Sequence, residues 1–165
     1  MIREATVDDA ARIAEIEVFS SRYAYGNIVS HEYLYNDLSV ERRMPVHAKW
    51  IAEKRFAEYV FEDSDAGMIQ GMMGIGQCED DDKTGAFELH FLYVDPDHVR
   101  KGIGTKMLQF FEHVGKNKGC TEFIVWVLEE NEMGRRFYEK NDYRSDGKEK
   151  VFKRWNKREI RYVKR

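Results

Sequence analysis

The sequence has little cysteine, no long apolar run and almost no net charge. Cys78 and Cys120 are its two cysteines, and without C-x-x-C spacing they exclude a disulfide framework and a four-ligand zinc site. Every apolar run falls short of the roughly 18 to 20 residues that a membrane-spanning helix needs. The first 18 residues mix charged with apolar side chains, whereas a signal peptide has an apolar centre. These features predict a cytoplasmic protein with no membrane partner.

The balance of charges gives no information about nucleic acid, because 27 basic and 30 acidic residues leave a net charge of −3. With 165 residues the chain has the length of one domain, and its 42% hydrophobic content is enough for a sizeable core. We therefore predict a single domain over residues 1–165.

Hydrophobic periodicity predicts the order strand, helices, three strands, helix, strand, helix, two strands, which is an α/β or α+β arrangement of helices on one sheet. In the N-terminal third we expect a helix over 7–24 with Thr6 as its N-cap, and a short helix capped by Ser30. Residues 39–55 are also predicted to be helical, and Pro45 is expected to start or kink that helix.

Beyond residue 55 the period changes from helical to alternating. The predicted strands cover 56–63, 68–79, 86–96 and 121–128, with a turn "SDAG" between the first two. Helices are predicted from Ile103 to near Gly119 and after the N-cap Asn131, with Asn141 at a left-handed exit position. Segments near 143–153 and 158–164 are predicted to be edge strands.

The turn before the Ile103 helix has the composition of an anion-binding loop. Gly102 and Gly104 flank Ile103, so backbone N–H groups can approach a phosphate closely at the positive end of the helix dipole. A dinucleotide fingerprint would need glycine where Met107 stands, and a Walker loop is also absent. Taken alone, the pattern fits a tight turn equally well.

Two longer segments resolve this ambiguity. The runs "ELHFLYVDPDHVRKGIGTKML" and "NEMGRRFYEKNDYR" resemble the GNAT superfamily of acetyl-CoA-dependent N-acetyltransferases, and the resemblance is direct over residues 88–143. Three features depart from the family pattern: Val99 stands in place of Gln or Arg, Gly134 in place of Ala, and "NDY" in place of "GF". Glycine in a helix interior costs about 1 kcal/mol relative to alanine, so Gly134 is expected to loosen the last helix.

The resemblance implies one mixed, mostly antiparallel sheet with helices on both faces and a splayed parallel strand pair. It also implies transfer of acetyl from acetyl-CoA to a primary amine by direct attack in a ternary complex. The strand end would pair with pantetheine and the loop would bind pyrophosphate. The cofactor-binding residues that this implies are Leu92, Tyr93, Val94, Arg100, Lys101, Gly102, Ile103, Gly104, Thr105, Lys106 and Asn131.

By the same resemblance, Tyr138 is the candidate proton donor for the departing thiolate, with a core tyrosine as the alternative. Glu88 matches the strand position of a general base in some members, while other members use no side chain there. Alternation puts His90 on the face of Glu88, where it would relay a proton or serve only as a sheet histidine. Asn131 has an alternative as a simple N-cap.

Several questions stay open from the sequence. The acceptor is expected to be a small-molecule or peptide amine. Five aromatic residues of the N-terminal region either line the acceptor pocket or pack in the core: Tyr23, Tyr25, Tyr33, Tyr35 and Trp50. A non-catalytic acyl-CoA-binding regulator or partner-binding module of the same fold is the alternative function. A homodimer is compatible with the family.

Two charged segments have simpler explanations than ligand binding. "EDDDKTG" resembles the start of a calcium loop, but Phe91 at the twelfth position favours a solvated hairpin turn. Residues 148–165 carry nine basic and two acidic side chains, a net of +7. We interpret them as charged edge strands rather than as an RNA site, since no RNA-reading motif is present. The remaining histidines are too scattered to suggest a metal.

Overall fold

The structure is a computed structural model that describes residues 1–65 and 67–165. The predicted turn "SDAG" contains Ala66, which lies outside the described residues. The helices and strands are β1 Ile2–Glu4, α1 Ala10–Tyr25, α2 Val40–Glu53, β2 Ala57–Glu62, β3 Ile69–Gln77, β4 Phe87–Val94, α3 Ile103–Asn117, β5 Phe123–Leu128, α4 Glu132–Lys140, β6 Arg144–Phe152 and β7 Lys157–Lys164. Within the described ranges, no helix is both long enough and apolar enough to cross a membrane.

The strands are hydrogen bonded in the order β1-β2-β3-β4-β5-β7-β6. Strands β4 and β5 are parallel, whereas β1–β2, β2–β3, β5–β7 and β6–β7 are antiparallel. The predicted mixed, mostly antiparallel sheet with one parallel pair is confirmed. The prediction of two edge strands at the C-terminus is wrong for the second of them, because β7 lies between β5 and β6. Its side chains explain the interior position, since Arg161, Tyr162 and Val163 are all buried, whereas β6 is exposed along almost its whole length.

The chain divides into two compact units, each made of two stretches of sequence. The first comprises Met1–Ile75 and Phe91–Phe110, and the second comprises Gly76–His90 and Phe111–Arg165. The single domain over 1–165 stays a prediction.

In the first unit, helices pack on both faces of the sheet. Apolar side chains of α1 pack against β2 and β3, forming a core of Ile13, Ile16, Val60, Ile69 and Met72. Met107 of α3 lies against Gly71, which alternation places on the other face of β3 from Met72. The helices on both faces that the family resemblance implied are therefore present in this unit.

A buried charged cluster also joins α1, α2 and β2 in the first unit. The His47 Nε2 atom lies 2.8 Å from Glu17 Oε2, and its Nδ1 atom lies 3.4 Å from Glu58 Oε2. The Arg43 guanidinium donates to Glu17 at 2.6 Å. The side chain of His47 is 1% exposed, so this imidazole is fully enclosed between two carboxylates.

In the second unit, α3 and α4 contact the same face of the sheet. Phe111 stacks on Phe87 with ring centroids 5.3 Å apart and meets Phe123 edge-on at 5.6 Å. From α4, Arg135 donates to the Tyr162 hydroxyl at 3.1 Å, and that hydroxyl donates to Glu139 at 2.7 Å.

The N-terminal helices differ in detail from the predicted ones. The Asp9 carboxylate accepts hydrogen bonds from the Thr6 N–H and hydroxyl, but residues 7–9 form a 3₁₀ turn and α1 begins only at Ala10. Helix α2 begins after Ser39, whose hydroxyl accepts from the Arg42 N–H at 3.4 Å, and it continues through Pro45. Of the two roles expected for Pro45, starting the helix is therefore wrong, and a kink at this residue stays a prediction.

The short helix predicted after Ser30 is present, and one other local prediction needs correction. Ser30 Oγ accepts from the Tyr33 N–H at 3.3 Å, and the helix that follows is a π-helix over Tyr33–Asp37. At the end of α4, Asn141 has φ −99°, and the left-handed residue is Asp142 with φ 70°.

The acidic turn "EDDDKTG" binds a cation of the chain itself. Arg161, which is 2% exposed, donates to Asp80 at 3.0 Å, to Asp82 at 2.7 Å and to Asp146 at 2.9 Å. The calcium-like carboxylates thus hold a guanidinium, which corrects the expectation of a merely solvated turn. Other cations of residues 148–165 also pair within this unit: Lys157–Glu130, Arg158–Glu129, Lys164–Glu112 and Arg165–Glu122.

Candidate active site

The glycine loop has the backbone geometry of an anion cradle. Arg100 and Gly102 take left-handed conformations, with φ 62° and φ 81°, and α3 begins at Ile103. A left-handed residue at position 102 favours glycine, because a side chain there is strained. In the described part of the chain, the first three helical N–H groups, those of Ile103, Gly104 and Thr105, have no hydrogen-bond acceptor. They point along the helix axis, where the dipole attracts an anion.

Three cations surround this helix start. Arg100, Lys101 and Lys106 are exposed, and the Lys106 ammonium lies 5.8 Å from the centre of the Phe61 ring. Val99, which replaces the usual Gln or Arg, is half-buried and offers no polar group. An anion at this loop would therefore meet backbone amides and these three side chains.

The end of β4 leads into the loop and is held by contacts that the sequence did not reveal. Leu92, Tyr93 and Val94 are half-buried, and the Val94 carbonyl accepts from Ser20 Oγ at 2.8 Å. Asp95 follows the strand, and its carboxylate accepts a hydrogen bond from the Arg12 guanidinium. It also accepts from the Asp97 N–H at 2.9 Å.

The β4–β5 register is only three pairs long. It runs from Phe87–Phe123 to Leu89–Val125, although β4 continues to Val94 and β5 to Leu128. Each strand thus extends beyond the paired residues. The splay that the family resemblance implied stays a prediction.

Glu88 and His90 lie together on the part of β4 that belongs to the second unit. His90 Nδ1 is 3.4 Å from Glu88 Oε1, and the two side chains are 13% and 10% exposed. Burial raises the pKa of Glu88, but hydrogen bonds from His90 and Cys78 and the charges of His90 and Lys150 outweigh it and lower that pKa below 4.5. Glu88 is therefore a carboxylate at neutral pH and is able to accept a proton.

The contact with Cys78 was not foreseen from the sequence. Burial is the main cause that raises the pKa of Cys78 to about 12, and the charge of Glu88 adds to it. The thiol is protonated and donates to Glu88, so it orients the carboxylate and does not act as a nucleophile. The only sequence signal for this role is that Cys78 directly follows a hydrophobic strand.

Tyr138 is buried on α4, 8% exposed, between two other rings. It packs edge-on against Phe137, with centroids 5.0 Å apart, and against Tyr143 at 5.8 Å. Tyr143 fills the place of the family's phenylalanine in "NDY". Its hydroxyl, which a phenylalanine lacks, donates to Glu112 at 3.2 Å.

Asn131 caps α4, and this cap explains why glycine replaces the alanine of the family pattern at position 134. Its Oδ1 accepts from the Gly134 N–H at 3.0 Å. A Cβ atom on residue 134 would lie 2.6 Å from Asn131 Nδ2, so alanine would displace this side chain. Glycine thus permits the cap, and the N-cap role predicted as an alternative for Asn131 is present.

The predicted residues fall into two groups. The strand end Leu92–Val94 and the loop 100–106 belong to the first unit, while Glu88, Asn131 and Tyr138 belong to the second. Within the second unit, Glu88 and His90 are in contact.

Comparisons with known proteins agree with the fold. The chain is 26% identical over 152 residues to spermidine N(1)-acetyltransferase of Thermoplasma acidophilum, with 87% of each chain covered. It is 27% identical over 130 residues to the uncharacterized N-acetyltransferase YuaI of Bacillus subtilis, covering 79% of this chain and 72% of that one. The structure of PaiA N-acetyltransferase from T. acidophilum in complex with coenzyme A superposes with a TM-score of 0.78 at 22% identity, over 98% of this chain and 96% of the other. Residues 23–143, well over half of the chain, match the Acetyltransferase (GNAT) family, and the protein belongs to that family of acyltransferases.

Proposed function

We propose that the protein transfers the acetyl group of acetyl-CoA to a primary amine by direct attack in a ternary complex, and that it does so in the cytoplasm. The observation that carries this proposal is the start of α3, where the three N–H groups of Ile103, Gly104 and Thr105 lack acceptors beside three cationic side chains. A pyrophosphate is the ligand that such donors match. Support for an amine acceptor comes from the T. acidophilum relative, whose name gives spermidine as its substrate.

The remaining cofactor contacts belong to the strand end and to α4. Backbone groups of Leu92, Tyr93 and Val94 would pair with pantetheine, with one lone pair of the Val94 carbonyl already taken by Ser20. Asn131 would combine its capping bond with a contact to the cofactor.

The chemical step needs a proton acceptor and a proton donor. The amine nitrogen attacks the thioester carbonyl carbon, so a C–N bond forms and the C–S bond breaks. Glu88, ionised and next to His90, takes the proton of the amine directly or through water. Tyr138 gives a proton to the leaving thiolate. The products are an amide and free coenzyme A, and the protons balance when the proton on Glu88 returns to the Tyr138 phenolate through solvent.

Calorimetric titration with acetyl-CoA tests the loop. Gly104 lies in the first turn of α3, and we expect Gly104→Glu to weaken acetyl-CoA binding at least about tenfold. The added carboxylate would face the phosphates, and two like charges about 4 Å apart cost about 4 kcal/mol at an effective dielectric of about 20. A glutamate in the first helical turn is favourable for the helix itself, so the variant should fold.

Gly104→Ala is the matched control, since it adds a Cβ atom without a charge. Its affinity should stay within about threefold of the wild type. Absence of wild-type binding at millimolar acetyl-CoA would refute the acetyltransferase proposal and leave the loop as a tight turn.

A further inference from the structure

Four functional side chains share one face of the sheet in the second unit. Glu88 pairs with Ile124 across β4 and β5, which puts Trp126, two residues later, on the same face. Trp126 pairs with Arg161, and Glu159, two residues before it, pairs with Lys150 on β6. The registers thus align Glu88, Trp126, Glu159 and Lys150, while α3 and α4 contact the opposite face at Phe87 and Tyr162.

An ammonium group already lies on the Trp126 ring. Lys150 Nζ is 4.0 Å from the ring centroid, which is a close cation–π contact. Among residues 1–65 and 67–165, no carboxylate comes within ion-pair distance of this nitrogen. The lysine of an exposed edge strand is therefore held on this face by the indole.

The indole itself is fixed in place. Its Nε1–H donates to Asp80 Oδ2 at 3.1 Å, and the same oxygen accepts from Arg161. Arg161 is buried and bonded to three aspartates, so it is not available to a ligand. The ring is a preorganised surface rather than a mobile side chain.

The Glu159 carboxylate on this face lacks a bonded partner. Glu159 is half-buried, and in the described chain its carboxylate has neither a hydrogen bond nor an ion pair. Burial is the main cause that raises the pKa of Glu159; the charge of Lys150 opposes it, and the charge of Glu88 adds to it. Arg161 on the same face is already bonded to three aspartates, so the Lys150 ammonium is the cation that acts on Glu159.

We propose that Trp126 and Glu159 form a subsite for a second ammonium group of the acceptor, and that Lys150 occupies this subsite when no acceptor is bound. The inference rests on the proposed function, because it takes Glu88 as the proton acceptor for the amine that reacts. The acceptor class is an alkyl amine with a second positive charge a few bonds from the reacting nitrogen. The second ammonium would replace Lys150 on the indole and pair with Glu159.

Steady-state assays with matched acceptors test the subsite. Butane-1,4-diamine and butylamine share a carbon chain and differ in the second ammonium, and spermidine extends the series. Wild-type kcat/KM should be at least about tenfold higher for the diamine than for butylamine. Trp126→Leu and Glu159→Gln should each lower the ratio of the two kcat/KM values about tenfold, because the KM for the diamine rises. For Trp126→Leu this is the size expected for loss of a cation–π contact. Lys150→Met keeps an unbranched side chain one atom shorter, removes the competing charge and should lower the KM for the diamine about threefold.

Two further variants separate the subsite from effects on folding. Trp126→Phe retains an aromatic face and should keep most of the preference for the diamine. Lys153→Met, at another exposed lysine of the same segment, should leave both KM values unchanged. Equal ratios in the wild type, Trp126→Leu and Glu159→Gln would overturn the subsite while the acetyltransferase activity stands. Absence of acetylation of every amine by the wild type would instead overturn the proposed function.

Discussion

Tyr138→Phe should lower kcat for amine acetylation by at least about 100-fold while changing the Kd for acetyl-CoA less than about twofold. The phenol is the candidate proton donor to the thiolate, and a positioned general acid contributes roughly 10²- to 10⁴-fold. Phenylalanine keeps the ring that packs against Phe137 and Tyr143, so the fold should be retained. Thiol release measured against amine concentration gives kcat, and calorimetry gives the Kd.

Tyr143→Phe is the matched control, because it makes the same change in the adjacent ring. It removes the hydrogen bond to Glu112 and should cost about 1 kcal/mol of stability, with kcat within about threefold of the wild type. Wild-type kcat in Tyr138→Phe would contradict the catalytic role. Acetyl-CoA binding without acetylation of any amine by the wild type would favour a non-catalytic acyl-CoA-binding module.

His47→Leu should lower the free energy of unfolding by about 3 kcal/mol. The substitution removes the cation between Glu17 and Glu58, and loss of one partner from a buried ion pair costs about 3–5 kcal/mol. Glu17 keeps Arg43, but in the described structure Glu58 has no other cation and its carboxylate oxygens accept no hydrogen bond. Urea denaturation at constant pH measures the difference.

The same cluster predicts how stability depends on pH. Burial lowers the pKa of His47, but the hydrogen bond to Glu17 and the charges of Glu17 and Glu58 outweigh it and raise that pKa above 6.5. The stabilisation from His47 is therefore complete below about pH 6.5 and is lost as the pH rises through the folded-state pKa. Burial also raises the pKa of Glu17, yet His47 and Arg43 lower it below 4.5, so its contribution is lost as the pH falls through that lowered value.

The difference in stability between the wild type and His47→Leu should thus be largest between about pH 4.5 and pH 6.5 and should shrink at alkaline pH. His113→Leu makes the same change at an exposed position of α3 and should alter stability by less than about 0.5 kcal/mol. The double variant His47→Leu/Glu58→Leu should recover part of the loss, because it removes the unpaired carboxylate. A pH-independent difference would show that His47 acts only by packing.

The sequence predicted most elements because each has a clear hydrophobic period. It could not place β7 inside the sheet, since strand order depends on pairing between distant segments. The contrast between buried Tyr162 and Val163 and the exposed residues of β6 is the physical reason for that order. The start of α1 was missed because the Asp9 carboxylate stabilises a 3₁₀ turn first.

Local spacing was sufficient to predict those parts of the candidate site whose residues lie on one strand or in one loop. The contact between Glu88 and His90 follows from alternation, and the anion loop follows from two glycines at a helix start. Trp126, Glu159 and Lys150 come from three different strands, and only the registers bring them together. Cys78 was missed for the same reason, because its bond to Glu88 joins β4 to the residue that follows β3.

The two compact units are interleaved in the chain, which crosses from one to the other near residues 75, 90 and 110. Strand β3, strand β4 and helix α3 each contain one of these crossings. No single cut of the polypeptide therefore releases either unit as a continuous fragment. Attempts to express an N-terminal or a C-terminal half should yield pieces that lack part of both cores, and useful dissection of this protein requires complementation between two chains.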